Sequence, residues 1–304
     1  MTKTDDPRRI ELRHADGSTS PLLLVESDRR DERRPAILVL PGIAVGARYY
    51  LPLARALAAE GVDVAITELR GQGESTHRIG RGGVAGYHES AAEDVPLALD
   101  AMRRALGDRR VILLGHSMGA QIGVYHLARR DPRVAGLVAV AAQSPFHRGF
   151  PRPVGRKLRF GSVVLPVVGR LAGHVPGGFF GAEGRLPADR VRDWSRLAAT
   201  GVMQPARADL DYLAGLTRVE VPVLSVVIAH DPLAPESAAR GQGATLIRRE
   251  ILPAVDQYTE QAENFALAVL GEAPLPSGVE DAISQMKVLD AIFRSEKSGA
   301  WEAV

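Results

Sequence analysis

Residues 111 to 123 read Val-Ile-Leu-Leu-Gly-His-Ser-Met-Gly-Ala-Gln-Ile-Gly. Four apolar residues run into Gly115-His116-Ser117-Met118-Gly119, and small residues at helical spacing follow. The spacing G-x-S-x-G suits a turn between a buried strand and a helix that is too tight for ordinary side chains at its flanks. In such a turn Ser117 holds a strained backbone conformation and its hydroxyl stands above the sheet edge. The first N–H groups of the helix then face whatever the hydroxyl attacks. The chemistry this predicts is nucleophilic attack on a carbonyl. A solvent-capped turn serine would fit the letters alone; the flanking strand and helix give the match its weight.

The elements that must hold this turn are legible on either side. Residues 9 to 13 and 21 to 26 read as strands around the turn Asp16-Gly17-Ser18, and Asp28 to Arg34 as a solvated loop. Ala36 to Leu40 is a fully apolar strand ending in Pro41-Gly42-Ile43-Ala44, where backbone N–H groups could face a cavity. The spacing predicts a helix over 48–60 closed by Gly61, a strand over 62–67, and a helix over 88–106 closed by Gly107. After the helix that follows Ser117, residues 134–142 and 221–228 read as further strands. Nearly all-apolar strands alternating with helices mean a mostly parallel sheet covered on both faces.

Composition bounds the function classes. At 304 residues the chain can bury a sizeable core, and 45% hydrophobic with 24% charged residues is the profile of a folded protein rather than a disordered one. A net charge of +2 gives no reason to expect a nucleic-acid partner. The absence of cysteine removes disulfides, thiol nucleophiles and Cys-based metal sites. No run reaches bilayer-spanning length and the N-terminal residues lack a signal-peptide core, so a cytoplasmic location is expected.

Three stretches resemble the α/β-hydrolase superfamily, across about residues 10–240. Leu40-Pro41-Gly42-Ile43 is similar to its oxyanion loop, with Pro in the usual His position. Glu68-Leu69-Arg70-Gly71-Gln72-Gly73-Glu74-Ser75 is similar to its D-x-R-G-x-G-x-S stretch, with Glu for the first Asp. Gly115 to Gly119 is similar to its nucleophile elbow. The resemblance implies the α/β-hydrolase fold with a cap inserted after the sixth strand, here about 144–215. It implies Ser117 as nucleophile and the amides of Ile43 and Met118 as oxyanion hole. Asp231, in an Asp-x-x-x-Pro context just past the strand 221–228, matches the acid that orients a histidine base. No cofactor or metal is implied, and the partner would be a small acyl substrate. The motifs are specific to the fold and not to a substrate.

Between Pro132 and Ala182, a stretch that runs into the cap, there are seven Arg or Lys and no acid. Arg148, Arg152, Arg156, Lys157 and Arg159 could line an entrance for an anionic substrate, although charge runs ordinarily face water. Asp193-Trp194-Ser195-Arg196 and Asp211-Tyr212-Leu213 resemble a subgroup of these hydrolases without pointing to a substrate.

The base is the missing part. In this fold the order is Ser, acid, His, yet all eight histidines lie at or before His230. His230, beside Asp231, is the best spare; His77, His88, His116, His147 and His174 are weaker ones, and Asp256 is a poor substitute for imidazole. From about Gly241 the chain ceases to look like a hydrolase. Helices over 256–270 and 279–295 and a short strand at 300–304 resemble the C-terminal end of the Gfo/Idh/MocA oxidoreductases, without that family's dinucleotide fold or catalytic motif. A division at 240/241, with 244–251 able to supply a last strand, is expected, and a chimeric gene would explain it. The sequence therefore predicts a serine hydrolase of ester, lipid or peptide-like acyl groups, impaired by the lost histidine. Its alternatives are a non-catalytic hydrolase-like binding protein and an oxidoreductase related by the tail alone. Oligomeric state is not legible.

Overall fold

The computed structural model describes residues 6–29, 31, 33–82, 84–142, 144–180, 184–228 and 231. All of them lie within one unit of the chain, Met1–Leu246. The expected strand 244–251, the helices 256–270 and 279–295, the strand 300–304, Asp256 and His230 lie outside the described residues.

Seven strands form the main sheet: β1 (Arg8–Arg13), β2 (Thr19–Val25), β3 (Ala36–Leu40), β4 (Val64–Thr67), β5 (Val111–His116), β6 (Val134–Val140) and, after a two-stranded excursion, β9 (Val223–Val226). Their order across the sheet is β1-β2-β4-β3-β5-β6-β9. The first two pairings, β1·β2 and β2·β4, are antiparallel, and the four from β4 through β3, β5 and β6 to β9 are parallel. β3 and β5 lie side by side with Leu40 opposite Gly115, so the loop after β3 and the turn after β5 leave the same edge together.

The period-2 alternation of the central strands separates two cores. Leu38, Leu40 and Leu113 face one layer, packed by α3 (Val95–Leu106) and α4 (Met118–Leu127). Val39, Ile66 and Leu114 face the other, packed by Tyr50 and by α1 (Leu51–Ala59). The helix expected over 48–60 opens instead as a 3-10 turn, Ala47–Tyr50, before α1 begins with Pro52 in its first turn. The helix expected over 88–106 is likewise composite, running from α2 (Tyr87–Glu89) through a π-helical turn at Ser90–Asp94 into α3.

The segment after the sixth strand is an insertion with its own small core of Leu165, Val175, Leu186 and Val191. Its density of Pro and Gly hides a 21-residue helix, α5 (Arg152–Ala172). Pro153 is tolerated in its first turn, Pro166 lies inside it, and Gly173 closes it at φ +79°. A hairpin of β7 (His174–Pro176) and β8 (Arg185–Pro187) leads to α6 (Ala188–Thr200), and α7 (Tyr212–Leu216) precedes β9. Asp211 caps α7 by accepting from Ala214 N–H at 3.0 Å.

Candidate active site

β5 delivers Ser117 to the sheet edge and α4 begins at the next residue. Its backbone lies at φ +51°, ψ −115°, a region that L-residues adopt only when the surroundings force it. Those surroundings are specific. The Ser117 amide donates to Val140 carbonyl at 2.9 Å, fixing the turn to β6. A Cβ on Gly115 would stand 2.3 Å from Ala120 Cα, and one on Gly119 would stand 2.0 Å from the Leu40 carbonyl oxygen. Only glycines at these two positions allow α4 to pack directly on the turn and on the end of β3. Met118, first in the helix, has an amide with no intrahelical acceptor. Among the described residues the half-buried Ser117 hydroxyl makes no hydrogen bond.

The loop after β3, which carries Ile43, is held by side chains that sequence reasoning passed over. The Gly42 N–H donates to the Tyr50 hydroxyl at 2.9 Å. Gln72 grips the same loop from the other side: its Nε2 donates to the carbonyls of Gly42 (3.2 Å) and Val45 (3.1 Å), and its Oε1 accepts from Ala44 N–H (3.3 Å). Gly42, Ala44 and Val45 are thus each bound, and the half-buried Ile43 lies between them. Gln72 stands in the x position of the R-G-x-G stretch, where a sequence pattern places no demand on the residue; its role emerges only from the fold.

Glu68, in the place of that stretch's first Asp, is buried and accepts from Ala47 N–H (3.1 Å) and Glu74 N–H (3.3 Å). Burial pushes its carboxyl up to about 7, the two backbone donors only partly opposing. From the insertion, the fully buried Arg190 of α6 reaches Gln72 Oε1 (3.4 Å) and Ser90 Oγ (3.5 Å). Burial brings this guanidinium down to about 10. Asp193, one turn further along α6, accepts from the Tyr87 and Ala206 amides at 3.0 and 2.9 Å, and burial raises its carboxyl to about 6.

The described imidazoles are engaged elsewhere. His77 meets Asp16 (2.8 Å), His88 meets Tyr212 (3.0 Å), and His147 and His174 meet the carbonyls of Ala198 (3.1 Å) and Ala172 (3.2 Å). His14 lies 2.9 Å from Ser20 and His126 lies 2.8 Å from the Ala91 carbonyl. His116, adjacent to Ser117, turns to Tyr50, its Nδ1 2.8 Å from the hydroxyl. Burial lowers its pKa, while the Asp231 carboxylate acts in the opposite direction. Asp231 therefore lies within electrostatic reach of the residue before Ser117, with its N–H 3.4 Å from the Ile228 carbonyl. Among the described residues, no group of three or more His, Asp or Glu is placed to hold a metal. No helix among them is long and apolar enough to cross a membrane.

A family model described as "alpha/beta hydrolase fold" matches residues 35–155, the span from β3 through Ser117 into α5. Solved structures similar to this chain include a soluble variant of monoglyceride lipase from Saccharomyces cerevisiae with a substrate analog. It is 14% identical, with a TM-score of 0.57 over 80% of this chain and 82% of that one. Est1E from Butyrivibrio proteoclasticus with ferulic acid bound is 13% identical, with a TM-score of 0.51 over 76% and 83%. The α/β hydrolase GrgF from a Penicillium species is 18% identical, with a TM-score of 0.52 over 77% and 83%. The chain has the α/β-hydrolase fold. A different likeness is short: an uncharacterized oxidoreductase, ORF334, of Rhizobium meliloti is 39% identical over 75 residues. That match takes in 25% of this chain and about a fifth (22%) of the relative.

Proposed function

We propose that the chain is a serine hydrolase acting on carboxylic ester, lipid or peptide-like acyl groups, with Ser117 as nucleophile and turnover held down by the lack of a histidine after Asp231. The observation that carries this reading is the backbone of Ser117 at φ +51°, ψ −115° on the β5–α4 turn. Strain of that kind costs about 1–3 kcal/mol, and an uncatalytic serine gains nothing from it. Ser117 Oγ would add to the acyl carbon, the carbonyl oxygen taking its negative charge between the amides of Ile43 and Met118. Asp231 would orient a base at the same edge, with His230 as the spare. With the seven described imidazoles engaged elsewhere, acylation would lean on the amide pocket and on substrate binding, which alone sustain only modest catalysis.

The engagement of seven imidazoles elsewhere favours a second reading, a hydrolase-like binding protein that keeps the pocket without turnover. A fluorophosphonate probe separates the two. Stoichiometric labelling that disappears in Ser117→Ala supports the hydrolase, and no labelling of the folded wild type supports the binding protein. The short likeness to an oxidoreductase is tested separately, by NADH fluorescence on titration with the chain. Sequencing the source DNA across codons 235 to 250 tests whether the two resemblances share one natural reading frame.

A further inference from the structure

Successive residues of an α-helix turn by about 100°, and on this scale α5 divides into three faces. Gly155, Ser162, Leu165 and Gly169 are buried and point to the body of the protein. Phe160, Val163, Val167 and Leu171 lie about 180° from them and are exposed by 71%, 61%, 54% and 67%. Arg152, Arg159 and Arg170 run along one flank of that stripe, Lys157 lies on the other, and Arg156 falls within it. Among the described residues no carboxylate pairs with any of these five cations, and the sequence supplies no acid between Pro132 and Ala182. At its N-terminal end the helix borders an open groove of about 680 Å³ lined by Arg148, Arg152, Arg156, Arg159, Phe160 and Val163.

An apolar stripe aimed away from the protein leaves four large side chains in water, which a soluble face ordinarily avoids. A row of arginines on one flank and a lysine on the other, with no carboxylate partner among the described residues, narrow the choice of cover. A second copy related by a two-fold axis would bring like rows of arginine against each other. A surface that is apolar within and anionic at its rim meets both parts of the pattern, which is the geometry of a helix lying in the plane of a membrane interface.

We infer that α5 docks the protein on an anionic lipid bilayer, with Phe160, Val163, Val167 and Leu171 entering the acyl boundary and the flanking arginines meeting phosphate headgroups. This contact is peripheral, and it does not depend on whether Ser117 turns over. The groove beside Arg148 and Arg156 is roomy enough for a headgroup at the helix entrance.

The test is co-sedimentation of the full chain with vesicles of phosphatidylglycerol and phosphatidylcholine in equal parts, against vesicles of phosphatidylcholine alone. Wild type is expected to pellet with the anionic vesicles and to be released at high salt, as the screening length shortens from about 10 Å at 0.1 M to about 3 Å at 1 M. Arg152→Gln with Arg159→Gln should weaken partitioning about fivefold per charge removed. Phe160→Asp with Val167→Asp should abolish it. Should the aspartate pair fail to give the wild-type circular dichroism spectrum, the arginine pair and a blue shift of Phe160→Trp emission on vesicles decide the matter. Absence of wild-type binding, or binding that both variant pairs leave unchanged, overturns the inference. So does concentration-dependent self-association lost in the aspartate pair without vesicle binding, which assigns the stripe to a second copy instead.

Discussion

The Tyr50 hydroxyl lies 2.8 Å from His116 Nδ1 while accepting the Gly42 N–H at 2.9 Å. One oxygen thereby ties the loop after β3 to the residue before Ser117. Which of the two atoms donates in the Tyr50–His116 contact is set by the imidazole's tautomer. Burial favours the neutral form of both rings, raising the Tyr50 phenol to about 12 and lowering His116. Tyr50→Phe removes the acceptor of a buried N–H. The expected cost is about 1–3 kcal/mol in urea unfolding, with slower fluorophosphonate labelling of Ser117 as the loop carrying Ile43 loosens.

Ser117→Gly should raise stability by about 1 kcal/mol while eliminating labelling, because glycine occupies φ +51° without the steric cost. Ser117→Ala keeps the Cβ and so should lose labelling without the gain. Thermal unfolding of the two variants side by side checks this, and equal melting temperatures would refute the claim that the turn stores strain.

Gly119→Ala must displace either α4 or the end of β3, since the new methyl would stand 2.0 Å from the Leu40 carbonyl oxygen. A loss of about 3 kcal/mol is expected, well above the roughly 1 kcal/mol typical of a point substitution. Chemical denaturation measures it directly, and a neutral effect would show that the contact between helix and strand end is looser than described.

Glu68 governs a pH dependence. Its carboxyl ordinarily titrates near 4.5 and is raised in the folded chain to about 7 by burial. The folded state thus holds a proton that the unfolded state has released, and stability falls as pH rises from about 4.5 to about 7. The contribution is fully present below 4.5 and lost above 7, amounting to about 3 kcal/mol at most. Asp193, raised to about 6, adds in the same direction. Glu68→Gln should flatten the profile across this window when unfolding is followed at several pH values; an unaltered slope would remove Glu68 as its cause.

The sheet and its edge were legible because buried parallel strands leave unbroken apolar runs, as at Ala36–Leu40 and Val111–Leu114, and because Gly115 and Gly119 mark a turn that admits no Cβ. The groups that shape the loop were not. Tyr50 falls in a stretch expected to be helical and Gln72 in the x position between two glycines, and neither place announces hydrogen bonds that cross 8 and 30 positions of sequence to reach Gly42. The helix α5 escaped notice because proline and glycine count against a helix locally, whereas Pro153 sits in its permissive first turn and Gly155 and Gly169 are packing contacts. The assignments of Asp231, Ile43 and Met118 came from likeness to a family and stand as proposals.

Arg190 ties the insertion to the loop after β3. Its guanidinium, rooted in α6, touches the carboxamide that also clamps Gly42, Ala44 and Val45. A shift of α6 would therefore be expected to reach Gln72 and, through it, the loop that carries Ile43. Hydrogen exchange at Ile43 and Ala44 would register that linkage as faster exchange in Arg190→Leu, and unchanged rates there would mean that the two layers move independently.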